Sequence, residues 1–193
     1  MDKIIASYKK VVFDSGFDIN AGQKLDFSKD MKTTIEDTVK FLQEGNKGCC
    51  FHASLYLIYM LHNNGIKSEL VVTAEPTVLP DGTTRTDNRA SVMYTYNGKC
   101  YVANPIEDIE FFEENGISKE ERNKFYDDGS TILKANKNKV HSSDACFIEY
   151  NDYINRYGDG VLYKMNDPYD DSYINYTLDE FLNKVEVKSQ ERM

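Results

Sequence analysis

Residues 48–65 read GCCFHASLYLIYMLHNNG, and this stretch constrains the fold more than any other. From Ala53 to Leu61 the apolar side chains run round most of a helical circumference, which the two-residue period of a strand does not produce. A helix that is apolar on nearly every side has to be enclosed, so the rest of the chain must wrap it. Asn63, Asn64 and Gly65 close it, since Asn and Gly are the residues that take a left-handed C-terminal cap. Two adjacent cysteines, Cys49 and Cys50, stand at its opening. They are either small buried hydrophobes or thiols directed at a substrate.

The flanking sequence supplies the wrapping. In 28–44, SKDMKTTIEDTVKFLQE, the residues Met31, Ile35, Val39 and Leu42 form one stripe of an amphipathic helix. After the enclosed helix the period changes: 67–74 (KSELVVTA), 89–96 (RASVMYTY) and 99–103 (KCYVA) are short and rich in Val, Tyr and Thr, and Asn97-Gly98 predicts a tight hairpin between the last two. The segment between the first two strands carries Pro76, Pro80 and Gly82 and predicts a mobile surface loop. In the acidic run Glu107 to Glu114, an exposed helix face with Ile109 and Phe112 turned inward accounts for the pattern. A capping box at Ser118 and Glu121 opens a helix over 118–127, and Thr177 and Glu180 open a last one over 177–185. Residues 145–150 predict a strand, and 151–176, dense in Tyr, Asp, Asn and Gly, predict irregular surface structure. The expectation is an α+β fold in one domain over residues 1–193: a central N-terminal helix carrying the cysteine, packed on an antiparallel sheet.

Composition narrows the function. The 193 residues are 40% hydrophobic and carry a formal net charge of -9, so a nucleic-acid backbone or an anionic bilayer is repelled on average. No 18-residue apolar run and no secretory leader pattern are visible, which predicts no membrane span and a cytoplasmic location. Four cysteines are too few for a disulfide scaffold, and adjacent ones rarely pair, so all four are expected as reduced thiols. No CxxC, HExxH, glycine-rich phosphate loop or calcium-loop pattern is present, so no metal and no cofactor is expected.

Acyl chemistry needs a nucleophile, a base to take its proton and a group to orient that base. A cysteine at a helix N-terminus meets the first need, because the unpaired backbone N–H groups and the helix dipole favour the thiolate. Residues 48–69, GCCFHASLYLIYMLHNNGIKSE, resemble the signature of the transglutaminase-like (papain-like cysteine) superfamily, in which G-x-C opens the central helix and a G-I turn leads to the first strand. Gly48, Cys50, Ala53 or Ser54, Gly65 and Ile66 fall into that frame, and Cys50 fits it better than Cys49. Residues 89–105, RASVMYTYNGKCYVANP, are similar to the second half of the signature without a gap, including the Asn97-Gly98-Lys99 turn, Tyr101-Val102 and Pro105. The resemblance implies a papain-like core, a cysteine nucleophile at Cys50, amide or isopeptide acyl transfer or hydrolysis, and a peptide or protein as substrate or partner. Arylamine acetyl transfer shares the chemistry but comes with an R-G-G-x-C opening that this chain lacks.

Two departures alter what the resemblance implies. Arg89 stands where the family has its histidine, and Asn104 where it has its aspartate. A guanidinium stays protonated and cannot accept a proton from Cys50, although its charge can hold a thiolate; an amide can orient an imidazole but here has none to orient. Three histidines could substitute. His52 lies two residues past Cys50, about 200° round the helix, and cannot face it. His62 is at the far end of the helix, where pairing with the helix C-terminus explains it. His141 is left as the histidine free to approach from outside both blocks. Cys100 and Cys146 are expected to be packed thiols. The alternative to an enzyme with altered chemistry is a degenerate member that uses the old cleft to bind a peptide or protein.

Overall fold

A computed structural model describes residues 2–24, 26–127, 147–156, 161–165, 169 and 177–190. The first element is one the sequence reading did not assign: α1 (Asp2–Asp14) buries Ile4, Ser7, Tyr8, Val11 and Val12 on one face. That 3–4 spacing is present in the sequence, but Lys9 and Lys10 interrupt the apolar run and mask it. A two-residue strand β1 (Gly16–Phe17) and a 3-10 turn (Ala21–Lys24) lead to α2 (Met31–Gln43). Asp30 caps α2 by accepting from the Thr33 backbone N–H at 3.0 Å and its hydroxyl at 2.7 Å, and Met31, Ile35, Val39 and Leu42 face inward as their spacing predicts.

Strand β2 (Lys47–Gly48) pairs in parallel with β1 and delivers the chain into α3 (Cys50–Asn63). Every side chain of α3 from Phe51 to Ile58 is buried, together with Leu61. The helix stops as its sequence predicts: Gly65 takes φ +75°, its N–H donates to the His62 carbonyl at 2.9 Å, and that of Ile66 donates to Leu61 at 2.9 Å.

The sheet follows. Strand β3 (Ser68–Val78) pairs antiparallel with β4 (Thr84–Tyr96), and β4 with β5 (Lys99–Ala103) through a two-residue turn at Asn97 (φ 49°) and Gly98 (φ 75°). Both turn residues are left-handed, the geometry that matches the twist of the flanking strands. The predicted surface loop between the first two strands is instead a ribbon: pairing runs out to Val78 opposite Thr84, closed by the Leu79 N–H to Thr83 carbonyl bond of 2.8 Å. Pro76 is tolerated there because β3 pairs with its other neighbour only as far as Ala74 among the described residues.

Helix α4 (Pro105–Glu114) turns Ile109 and Phe112 inward, and the short α5 (Lys119–Arg122) and α6 (Lys124–Asp127) follow the Ser118–Glu121 capping box. Strand β6 (Ile148–Glu149) joins the sheet beside β5; residues 145 and 146 of the predicted strand lie outside the described residues. The stretch expected to be irregular contains α7 (Tyr150–Arg156) and β7 (Val161–Met165), and β7 pairs with β3. Helix α8 (Leu178–Gln190) starts at the predicted box, with the Thr177 N–H on Glu180 at 2.9 Å.

The sheet order is β6-β5-β4-β3-β7, antiparallel throughout, so the α+β expectation holds at that level. Strand alternation gives the sheet two distinct faces. Leu70, Val72, Ala74, Ala90, Val92, Tyr94 and Ala103 share one core with α1, α2, α3, α4 and α8. Val71, Met93, Val102 and Ile148 face the other way, under Tyr153 of α7.

Candidate active site

The start of α3 is built around a close contact between Gly48 and His52. A Cβ on Gly48 would stand 2.6 Å from the His52 Cβ and 2.9 Å from its Cγ, so only glycine lets the imidazole fold back along the incoming chain. His52 occupies the third helical position, where a capping box usually has Glu or Gln, and does the same work: the Cys49 N–H donates to its Nδ1 at 3.2 Å. The Cys49 sulfur lies 3.3 Å from that nitrogen. A backbone N–H can only donate, so Nδ1 accepts that bond with its single in-plane lone pair. The ring is fully buried and packs on Phe41, with centroids 5.1 Å apart.

The two thiols differ in surroundings. Cys49 is 8% exposed and lies beneath the 3-10 turn, where a Cβ on Gly22 would touch its sulfur at 3.8 Å. Cys50, the first residue of α3, is the more exposed of the pair and packs against the core that Ala90, Val92 and Tyr94 of β4 share. Interaction with the Cys50 thiol, followed by that with His52, holds Cys49 below the usual thiol value against the opposing effect of burial. The same interaction, reinforced by burial, holds Cys50 well above it. The pair therefore titrates as a unit, giving up its first proton readily and its second with difficulty.

The structure packs Cys50 against the core that the second signature block enters, but not against the side chain aligned with the missing histidine. Ala90, Val92 and Tyr94 face α3, so Arg89 leaves β4 from the opposite face. It is exposed there, opposite Thr73 in register, and its charge bears on the buried Tyr153 phenol. Asn104 is buried at the N-cap of α4, where its amide donates to Glu107 at 2.9 Å and its carbonyl accepts from Tyr8 at 3.4 Å. His141 and Cys146 lie outside the described residues. His62 stacks on Tyr169 at 3.7 Å, and Cys100 packs beside the second core on the far side of the sheet.

Helical spacing sets His52 on the side of α3 away from Cys50. Cys49 is its partner, and the signal was available: 49 and 52 stand in capping-box spacing at a helix start, with Cys and His in place of the usual Ser and Glu. Cys49, Cys50 and Cys100 carry free thiols. Among the described residues no group of three or more His, Cys, Asp or Glu is arranged to hold a metal ion, and no helix is long and apolar enough to cross a membrane. Comparison with protein-family models, with curated proteins and with solved structures finds no match for the chain.

Proposed function

We propose that this chain is a cysteine-nucleophile acyl transferase or amide or isopeptide hydrolase of the transglutaminase-like type, with altered proton handling and a peptide or protein substrate. The observation that carries this reading is the place of Cys50, the first residue of the enclosed helix α3, packed against the core that β4 enters through Ala90, Val92 and Tyr94. The two blocks of the signature, residues 48–69 and 89–105, meet in that core. The order of elements supports a papain-like core as well: an enclosed helix with the cysteine at its tip, then strands with an Asn-Gly hairpin on the sheet against that helix.

In this reading Cys50 attacks the carbonyl carbon, and N–H groups at the start of α3 stabilise the oxyanion that develops. Arg89 cannot serve as base, because it stays charged and leaves the strand from the other face. A second reading draws on that same placement: a degenerate member that keeps the cleft to bind a peptide or protein without turning it over. Loss of a general base costs roughly 10²- to 10⁴-fold in rate, which is the margin separating the two.

Iodoacetamide at pH 6 distinguishes them. Fast labelling located at Cys50, ahead of Cys100 and Cys146 and lost in Cys50→Ala, supports the enzyme. Slow, uniform labelling of all four thiols removes it and leaves the binding module.

A further inference from the structure

We infer that the side-chain oxygen of Asn88 accepts an N–H of the substrate's amide group beside Cys50, so that the site selects amides that carry an N–H over esters. The inference rests on Cys50 being the nucleophile and adds the group that recognises what it attacks.

Strand parity and length place Asn88 at the tip of α3. The β3–β4 register runs without a bulge from Ser68 opposite Tyr94 to Val78 opposite Thr84, so Asn88 shares the α3 face of the sheet with Ala90, Val92 and Tyr94. Helix α3 packs on both strands. Its last turn lies beside the start of β3, since only residues 64–67 separate them, and His62 there stacks on Tyr169, just past the end of β7 that pairs with Leu70. From that end α3 runs back about 20 Å, the length of about six strand residues. That count from Ser68 reaches Ala74, whose partner across the ladder is Asn88. Cys50 at the helix start and Asn88 on the sheet therefore lie at the same end of the interface between α3 and the sheet.

Two polar atoms at this end have no hydrogen-bond partner among the described residues. Asn88 Oδ1 is buried and unpaired, although the residue itself is partly exposed. Ser54 is fully buried with its hydroxyl unpaired, and it stands one turn from Cys50 on the same side of α3, its side chain leaning back toward the helix start. Further along the same face the sheet offers α3 only apolar side chains: Leu70, Val72, Val92 and Tyr94. A carbonyl oxygen left unpaired in such a place destabilises the fold, so packing does not account for it. What Oδ1 lacks is a donor. Beside a carbonyl carbon that Cys50 can attack, an amide nitrogen carries a hydrogen and an ester oxygen does not. The two residues aligned with the family's histidine and aspartate do not make this contact: Arg89 leaves β4 from the opposite face, and the Asn104 amide donates to Glu107.

The test compares two alkylating reagents on the full chain at pH 7: iodoacetamide, which carries N–H donors, and methyl iodoacetate, which has a similar shape and none. Rates at each thiol are read by tandem mass spectrometry, and the ratio of the two rates at Cys100 supplies the intrinsic difference between the reagents. Relative to that ratio, wild-type Cys50 should favour iodoacetamide by about three- to tenfold, the worth of one hydrogen bond. Asn88→Leu has a similar volume and no acceptor. It should bring the ratio at Cys50 to that at Cys100 and leave the ester rate unchanged. No preference in the wild type, a preference that survives in Asn88→Leu, or an equal slowing with both reagents overturns the role of Asn88 while the nucleophile reading stands. Cys50 that labels no faster than Cys100 with either reagent removes both. If Asn88→Leu fails to fold, the comparison of the two reagents on the wild type decides.

Discussion

The Cβ of His52 approaches Gly48 so closely that a Cβ added to the glycine would stand 2.6 Å from it, with Leu42 Cδ2 at 3.0 Å on the other side. The glycine of the G-x-C opening is thus explained by a neighbour rather than by backbone freedom. Gly48→Ala must move His52, and the ring cannot shift without leaving the Cys49 N–H. We expect a loss of about 1–3 kcal/mol in stability from overpacking, read as a lower urea midpoint. A variant with the wild-type midpoint would mean that the imidazole is not held by this contact.

A second prediction concerns the joint between α1 and α4. Asp108 is 1% exposed, and its Oδ2 accepts from both Tyr8, at 2.9 Å, and Tyr126, at 2.6 Å. Asp108→Ala removes the acceptor that the two phenols share, leaving Tyr8 its longer bond to the Asn104 carbonyl, and should cost about 1–3 kcal/mol by chemical denaturation. Asp108→Asn keeps a carbonyl oxygen of the same reach and should recover part of that loss. Equal midpoints for the two variants would show that volume, and not the shared acceptor, sets the cost.

The third is a pH dependence. Burial, and then its hydrogen bond to Asp14 at 2.5 Å, raise the Tyr56 phenol above the ordinary tyrosine value. The folded state therefore keeps this proton where the unfolded chain gives it up. The contribution is complete below about pH 10, the unfolded value, and is lost as pH rises beyond it. Tyr56→Phe has no phenol to ionise, so it should be less stable than wild type at pH 7, by about 1–2 kcal/mol for the lost bond to a carboxylate, and the gap should narrow above pH 10. Urea midpoints at pH 7 and pH 10.5 check this. A constant gap would place the shift elsewhere.

How far the residues announced the fold depends on whether their signals were local. The enclosed helix, the Asn97-Gly98 turn and the boxes at Ser118 and Thr177 are each decided within one or two turns of chain, and each stands as read. The ribbon from 75 to 88 reads as a loop because Pro76, Pro80 and Gly82 are breakers, yet only Pro80 and Gly82 fall in the Leu79–Thr83 turn, and Pro76 lies within β3. Strand β7 is invisible locally, since it exists by pairing with β3, some 90 residues earlier in the chain. At the site, spacing placed Cys50 at the helix tip, but the role of position 89 depended on strand parity. That parity is set by which face of β4 meets α3, a tertiary fact that alignment of letters does not contain.

That parity yields the last prediction. If the only thing this chain lacked were the family's histidine, restoring it by Arg89→His should speed Cys50. The structure argues otherwise: Ala90, Val92 and Tyr94 occupy the α3 face, and residue 89 opens toward Thr73 and Tyr153 on the far side. An imidazole there has no path to the sulfur. Alkylation of Cys50 in Arg89→His should therefore stay within about twofold of wild type from pH 5 to 9, well short of the roughly tenfold that one unit of thiol shift produces. The same substitution should shift the titration of Tyr153 upward, because it removes a fixed positive charge near a buried phenol. A large gain in Cys50 reactivity at pH 7 would mean that position 89 reaches the α3 face after all.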